Sequence, residues 1–169
     1  MLPVNCRRDK IKQYKFFIIR VTVKDRQGEK MIVIVCLDDK NGMLFNRRRQ
    51  SRDSVVTADI VKTAEGGCLR MNAYSAKLFE TLPCDTPELA VSEDFLESAG
   101  DEDYCFVENV SVLPYVSRIR KLIIYRWNRH YPGDFFFDCD PAALGLSLLS
   151  TTEFAGTSHD NITREVYGK

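Results

Sequence analysis

The chain of 169 residues predicts an α/β domain: a mainly parallel central sheet, flanking helices and an antiparallel hairpin at the C-terminal end. Three observations lead there. Met31-Ile-Val-Ile-Val-Cys-Leu37 is a continuous apolar run, the pattern of a strand buried on both faces. Short apolar runs then alternate with segments of helical spacing as far as residue 127. The last two runs, Leu146–Thr152 and Ile162–Tyr167, face each other across a polar loop with no helical segment between them.

Each element follows from local chemistry. Asp38-Asp-Lys-Asn-Gly42 ends the first strand with turn residues. Residues 43–52 then read as a loop that carries Arg47, Arg48, Arg49 and Arg52. Asp53–Lys62 sets Val55, Val56 and Ile60 near helical spacing, with Ser51 or Asp53 as cap, and Gly66-Gly67 closes that helix. Cys68–Met71 is a short strand, and Ser75–Leu82 a second helix carrying Leu78, Phe79 and Leu82. Pro83 to Pro87 is a loop before a short strand at Leu89–Val91. Ser92–Ala99 reads as a helix, because a serine cap precedes acids that suit the positive end of the dipole. Tyr104–Val107 and Lys121–Trp127 are strands on either side of a short helix near Tyr115–Arg120, and Phe135–Phe137 is a brief extended segment.

The composition is 44% hydrophobic and 28% charged, which suits one domain over residues 31–169 with a sizeable core. No apolar run has the length of a membrane span, and no secretory core opens the chain. The six cysteines are scattered without a C-x-x-C pair, so free thiols in a reducing cytoplasm are expected, with no metal site. His130 and His159 read as surface or hairpin-loop histidines, since no serine or cysteine nucleophile motif accompanies them. Nine Lys/Arg against three Asp/Glu fall in residues 1–30, which therefore carry +6 while the remainder carries −6. Two accounts of that basic segment stand. Gln27-Gly-Glu-Lys30 is encoded by purine-rich codons of the ribosome-binding kind, so residues 1–30 can be an over-extended gene start with Met31 as the true first residue. Alternatively, Phe16–Val23 is an extra strand by its aromatic and β-branched content.

In element order and in four clusters the sequence resembles the dihydrofolate reductase family. Val33-Ile-Val-Cys-Leu-Asp-Asp-Lys-Asn-Gly42 is similar to that family's opening strand running into an Asp and a Gly. Met43-Leu-Phe-Asn46 is similar to its Met/Leu-Pro-Trp-x segment. Lys121-Leu-Ile-Ile-Tyr125 through Gly133-Asp-Phe-Phe-Phe137 resembles the late strand leading to Gly-Asp-x-x-Phe-Pro. Leu148 to Tyr167, with Ser158-His159, resembles the closing hairpin.

The resemblance implies a pterin-type substrate held by a carboxylate at the start of the first helix, through two parallel hydrogen bonds. Asp53 is the matching acid, and its other reading is a plain helix cap. Ile34, Val35, Phe45 and Tyr125 fall at positions the resemblance places on the substrate side. It also implies NADPH bound at two turns, matched here by Asn72–Ser75 and by Val107-Glu108-Asn109. Both family turns rely on glycine and on backbone N–H groups meeting phosphate. Here Asn72 and Ser75 stand in the first and Glu108 and Asn109 in the second, so a carboxylate lies where the pyrophosphate would.

Two functions follow. One is NADPH-dependent reduction of a dihydrofolate or pterin-type substrate. The other is a non-catalytic small-molecule or nucleotide-binding module on the same fold, with Arg47, Arg48, Arg49 and Arg52 at the pocket mouth, either meeting phosphates or carboxylates or simply solvated. Nucleic-acid binding is not expected, because the body is acidic and the aromatic residues sit at strand-like positions.

Overall fold

The computed structural model describes residues 28–81 and 87–169. The apolar runs form one seven-stranded sheet. In chain order its strands are β1 (Met31–Leu37), β4 (Cys68–Met71), β5 (Glu88–Val91), β6 (Tyr104–Phe106), β7 (Ile119–Arg126), β9 (Ser147–Phe154) and β10 (Ile162–Gly168). Across the sheet the order is β5-β4-β6-β1-β7-β10-β9. β1 lies at the centre, parallel to both β6 and β7, while β10 is antiparallel to β7 and to β9.

The unbroken apolar run of β1 has a simple cause: the sheet is covered on both faces. Met31, Val33, Val35 and Leu37 point to one side, with Phe95, Leu96 and Phe137. Ile32 and Ile34 point to the other, with Val56 and Ile60 of helix α1 (Ser54–Thr63) and with Trp127. A period of two thus splits one strand between two cores. Cys36, Cys68, Cys105 and Cys139 are free thiols, and burial pushes the Cys105 thiol up to about 12.

Residues 42–49 are not a loop. They form a hairpin of β2 (Gly42–Phe45) and β3 (Arg48–Arg49) turning through Asn46 and Arg47, whose φ angles are 49° and 59°. Left-handed backbone at both central residues is the I′-type hairpin geometry, in which asparagine is common and arginine unusual. β2 also pairs with β8 (Phe135–Phe136), which gives a second, three-stranded antiparallel sheet in the order β3-β2-β8.

Two expected helices are cut down. α2 covers only Ala73–Ala76, and turns follow it so that Phe79 can pack edge-on against Phe106 at 5.6 Å. The segment after Ser92 is a run of turns instead of a helix. Arg118, itself buried, donates to the carbonyls of Leu96, Glu97 and Ala99. One guanidinium thereby satisfies groups that further helical turns would otherwise have to satisfy. Arg118 ends the 3-10 helix Leu113–Arg118, which stands in place of the short helix expected near Tyr115–Arg120. The expected strand Phe16–Val23 and most of the basic segment lie outside the described residues. No helix among the described residues is long and apolar enough to cross a membrane.

Asp38 joins β1 to the second sheet. Its buried carboxylate accepts from the N–H groups of Lys40 (2.8 Å), Gly42 (2.7 Å) and Tyr131 (3.1 Å), and from Gln50 Nε2 at 3.3 Å. Burial opposes ionisation, yet these donors hold the carboxyl below its ordinary range. Asp38→Asn turns one acceptor into a donor facing donors. We expect a loss of about 2 kcal/mol, measured as a shift in the urea midpoint at unchanged slope.

Candidate functional site

The parallel strands β1, β6 and β7 end side by side, and the residues just beyond them face one cleft, the usual site position in sheets of this kind. Cys36, Phe106, Glu108 and Trp127 line it from the sheet, and Ser51, Arg52, Asp53, Val56 and Ile60 line it from α1 and the segment before it. The enclosed space is about 10 Å³, room for one water molecule at most. A larger cavity, about 420 Å³, lies at the opposite ends of β1 and β7, beside Lys30, Ile119 and Arg120.

Asp53 is fully engaged. As the N-cap of α1 it accepts from Val55 N–H at 2.9 Å. Its second oxygen accepts from Ser158 N–H at 2.7 Å and from Ser158 Oγ at 3.0 Å, with His159 Nδ1 at 3.4 Å. Gly156 packs so closely that a Cβ there would stand 2.2 Å from Asp53 Oδ2. Burial opposes ionisation of Asp53. The donors at Ser158, Thr157 and Val55 outweigh that penalty and hold its carboxyl well below the usual range. The β9–β10 loop is thus latched onto the start of α1, and the single Ser158 hydroxyl proton is shared between Asp53 Oδ2 and Arg52 O, the latter 2.8 Å away.

His159 lies in the hairpin loop, as its sequence position suggests, but it is buried and not a surface group. Its ring stacks on Trp127 at 4.6 Å between centroids. Nε2 meets Tyr131 Oη at 2.9 Å and Ser51 Oγ at 3.3 Å, while Nδ1 meets Ser158 Oγ at 3.1 Å. No local spacing links Ser51, Asp53, Tyr131 and Ser158-His159. The sheet order, which sets β10 beside β7, is what gathers them.

The other wall is closed by an ion pair. Arg49 grips Glu108 through two parallel hydrogen bonds, Nε to Oε1 at 3.0 Å and Nη2 to Oε2 at 3.1 Å. Its guanidinium also lies 4.7 Å from the Tyr74 ring centroid and donates to Tyr74 O, while its own N–H donates to Tyr74 Oη at 2.7 Å. Beside it, Asn72 caps α2 by accepting from Ser75 N–H and donates to Asn109 Oδ1 at 2.7 Å. The 72–75 and 107–109 turns therefore touch each other directly. Ser75 Oγ is buried without a hydrogen-bond partner among the described residues. Arg47 and Arg48 are exposed on the hairpin, and Arg52 is exposed at the cleft mouth.

Of the residues singled out from the sequence, Asp53 and Glu108 border the cleft, and Asn72, Ser75 and Asn109 adjoin it through the paired turns. Ile34 and Val35 are wholly buried on opposite faces of β1, and neither lines the cleft. Val107 is core, its N–H donating to Ile34 O. Phe45 is exposed on β2. Tyr125 does not reach Asp53: its hydroxyl donates to Asp59 Oδ2 at 2.8 Å, and Asp59 is held in turn by Arg164. Burial and the neighbouring Asp59 raise the Tyr125 hydroxyl well above the usual phenol range.

The sheet order, the second small sheet and the C-terminal hairpin together define the dihydrofolate reductase fold. A solved dihydrofolate reductase from Enterococcus faecalis, complexed with NADP(H) and RAB-propyl, superposes with a TM-score of 0.59 over 82% of this chain and 95% of that one. Sequence identity between the two is 9%, so the likeness is one of fold. No protein-family model and no curated protein matches the chain.

NADPH does not fit the residues present at the two turns. A diphosphate would meet the buried Glu108 carboxylate, the direct Asn72–Asn109 contact and an α2 of only four residues. Glycine is absent from both turns.

Proposed function

We propose that the chain is a small-molecule-binding module on the dihydrofolate reductase fold, taking an anionic ligand at the cleft mouth and carrying out no hydride transfer. The observation that carries this reading is the bidentate Arg49–Glu108 pair, its carboxylate buried and its guanidinium partly so, across the wall where the resemblance puts the cofactor turns. Hydride transfer needs the nicotinamide held close to its acceptor. Here an anchoring diphosphate would have to displace a bidentate ion pair and face the carboxylate left behind. The substrate side points the same way. Both oxygens of Asp53 are occupied by the protein, and the enclosed space is too small for a ring system. Arg48 and Arg52 remain outward, and arginine's planar fork suits phosphate or carboxylate.

Purified protein should not quench NADPH fluorescence, and it should oxidise no NADPH with dihydrofolate at high protein concentration. Thermal shifts against pyrophosphate, nucleotides, NADP and folates should single out an anionic class. A ligand at 100 times its Kd contributes about 2.7 kcal/mol, or roughly 5–10 °C for a domain of this size. Arg48→Ala with Arg52→Ala should abolish that shift. Dihydrofolate-dependent oxidation of NADPH that disappears in Asp53→Ala would overturn the reading.

A further inference from the structure

We propose that Ser51 is a nucleophile activated by His159, that Asp53 orients the imidazole, and that the cleft mouth acts on small carboxylic esters bearing an anionic group. The three side chains form one hydrogen-bonded chain, from Asp53 Oδ2 through His159 Nδ1 (3.4 Å) and Nε2 to Ser51 Oγ (3.3 Å). Order and chemistry match the acid–base–nucleophile arrangement, which is defined by geometry and not by sequence position.

The imidazole is fixed from several sides. Trp127 stacks on its face, and Tyr131 Oη meets Nε2. Ser158 Oγ and the Asp53 carboxylate stand at Nδ1 and together favour a proton on that nitrogen, leaving the Nε2 lone pair for a hydroxyl. Asp53 and His159 are shut off from solvent, whereas Ser51 is half-buried and lines the cleft beside the exposed Arg52. The nucleophile is thus the one member of the chain that a ligand can reach. The adjacent guanidinium supplies the charge that selects an anionic substrate.

The step balances with water as its only co-reactant. Ser51 Oγ attacks the ester carbon as its proton passes to Nε2, and the carbonyl π pair moves onto oxygen. When that pair returns, the acyl–oxygen bond breaks, and the leaving alcohol takes the proton from Nε2. Water then repeats the sequence on acyl-Ser51, releasing the carboxylic acid and restoring the hydroxyl. The Asp53 carboxylate offsets the imidazolium formed in each half.

The full chain treated with a fluorophosphonate probe should carry its adduct on Ser51, located by peptide mass spectrometry. Ser51→Ala should abolish labelling, and Ser54→Ala, an exposed neighbour, should leave it unchanged. His159→Gln should slow it by about 100-fold or more. Should that variant not fold, Tyr131→Phe decides, since removing the competing hydroxyl from Nε2 should speed labelling of Ser51. No Ser51 adduct on folded wild-type protein, or an unchanged rate in folded His159→Gln or in Tyr131→Phe, would overturn the proposal. The chain of contacts does not rest on anion binding. Thermal stabilisation by anions without a Ser51 adduct would sink the nucleophile alone, and a Ser51 adduct without anion stabilisation would sink the binding reading together with the anionic selectivity that rests on it.

Discussion

Arg49→Met is expected to destabilise the protein by about 3–5 kcal/mol, because it leaves the buried Glu108 carboxylate without its counter-charge. Glu108→Gln alone should cost less, since a neutral amide still accepts from the guanidinium at one oxygen. Arg49→Met combined with Glu108→Leu should recover most of the loss, because a buried ion pair replaced by apolar side chains is often close to neutral. Urea unfolding of wild type, Arg49→Met, Glu108→Leu and the double variant closes a double-mutant cycle, with a coupling energy of about 2–3 kcal/mol expected between the two positions. Simple additivity would mean that the pair does not close the wall as described. The same cycle bears on function. If the double variant gains NADPH quenching that wild type lacks, the ion pair is what excludes the cofactor.

The fold was legible in the sequence wherever burial alone decides structure. Met31–Leu37 reads as a two-sided strand because both of its faces meet apolar layers, and the 162–167 run reads as a hairpin strand because only turn residues separate it from the one before. The failures have two different origins. Ser92–Ala99 carries a proper cap and first-turn acids, but a buried arginine from residue 118 takes its carbonyls. A local signal was outweighed by a distant donor. The arginine stretch hides a hairpin because its second turn residue is Arg47, a poor match to the left-handed backbone found there.

The candidate site was half legible. Asp53 and Glu108 stood out through the resemblance, which puts one carboxylate at the pocket end of the first helix and the other at a phosphate turn. Their partners could not be read in that way. Arg49 is one of four similar arginines until the hairpin aims it at Glu108, and His159 has an ordinary loop sequence until β10 carries it onto Trp127. The arginine stretch thus divides by placement: Arg49 turns inward as a structural charge, while Arg47, Arg48 and Arg52 stay exposed.

Asp53→Ala should destabilise by about 2–4 kcal/mol, combining a lost helix cap with the stranded Ser158 N–H donor. The effect should be local before it is global. Hydrogen exchange at Ser158 and His159 should accelerate more than at the centre of β1, since the β9–β10 loop is fastened at this carboxylate. Acid should mimic the substitution. The folded-state pKa of Asp53 is depressed, so its contribution is complete above the unfolded carboxyl value of about 4 and is lost as pH falls below it. Wild type should therefore lose stability between roughly pH 5 and pH 2, more steeply than Asp53→Ala over the same interval. Denaturant midpoints at pH 7 and pH 3.5 for both proteins measure this difference. Equal acid sensitivity would mean that the carboxylate is not the group that latches the loop. If Asp53→Asn restored the pH 7 stability of wild type in full, hydrogen bonding would suffice without charge, and the imidazolium expected at His159 during ester cleavage would lose its counter-ion at no structural cost. That variant, folded but without the negative charge, would then isolate what Asp53 contributes to labelling of Ser51.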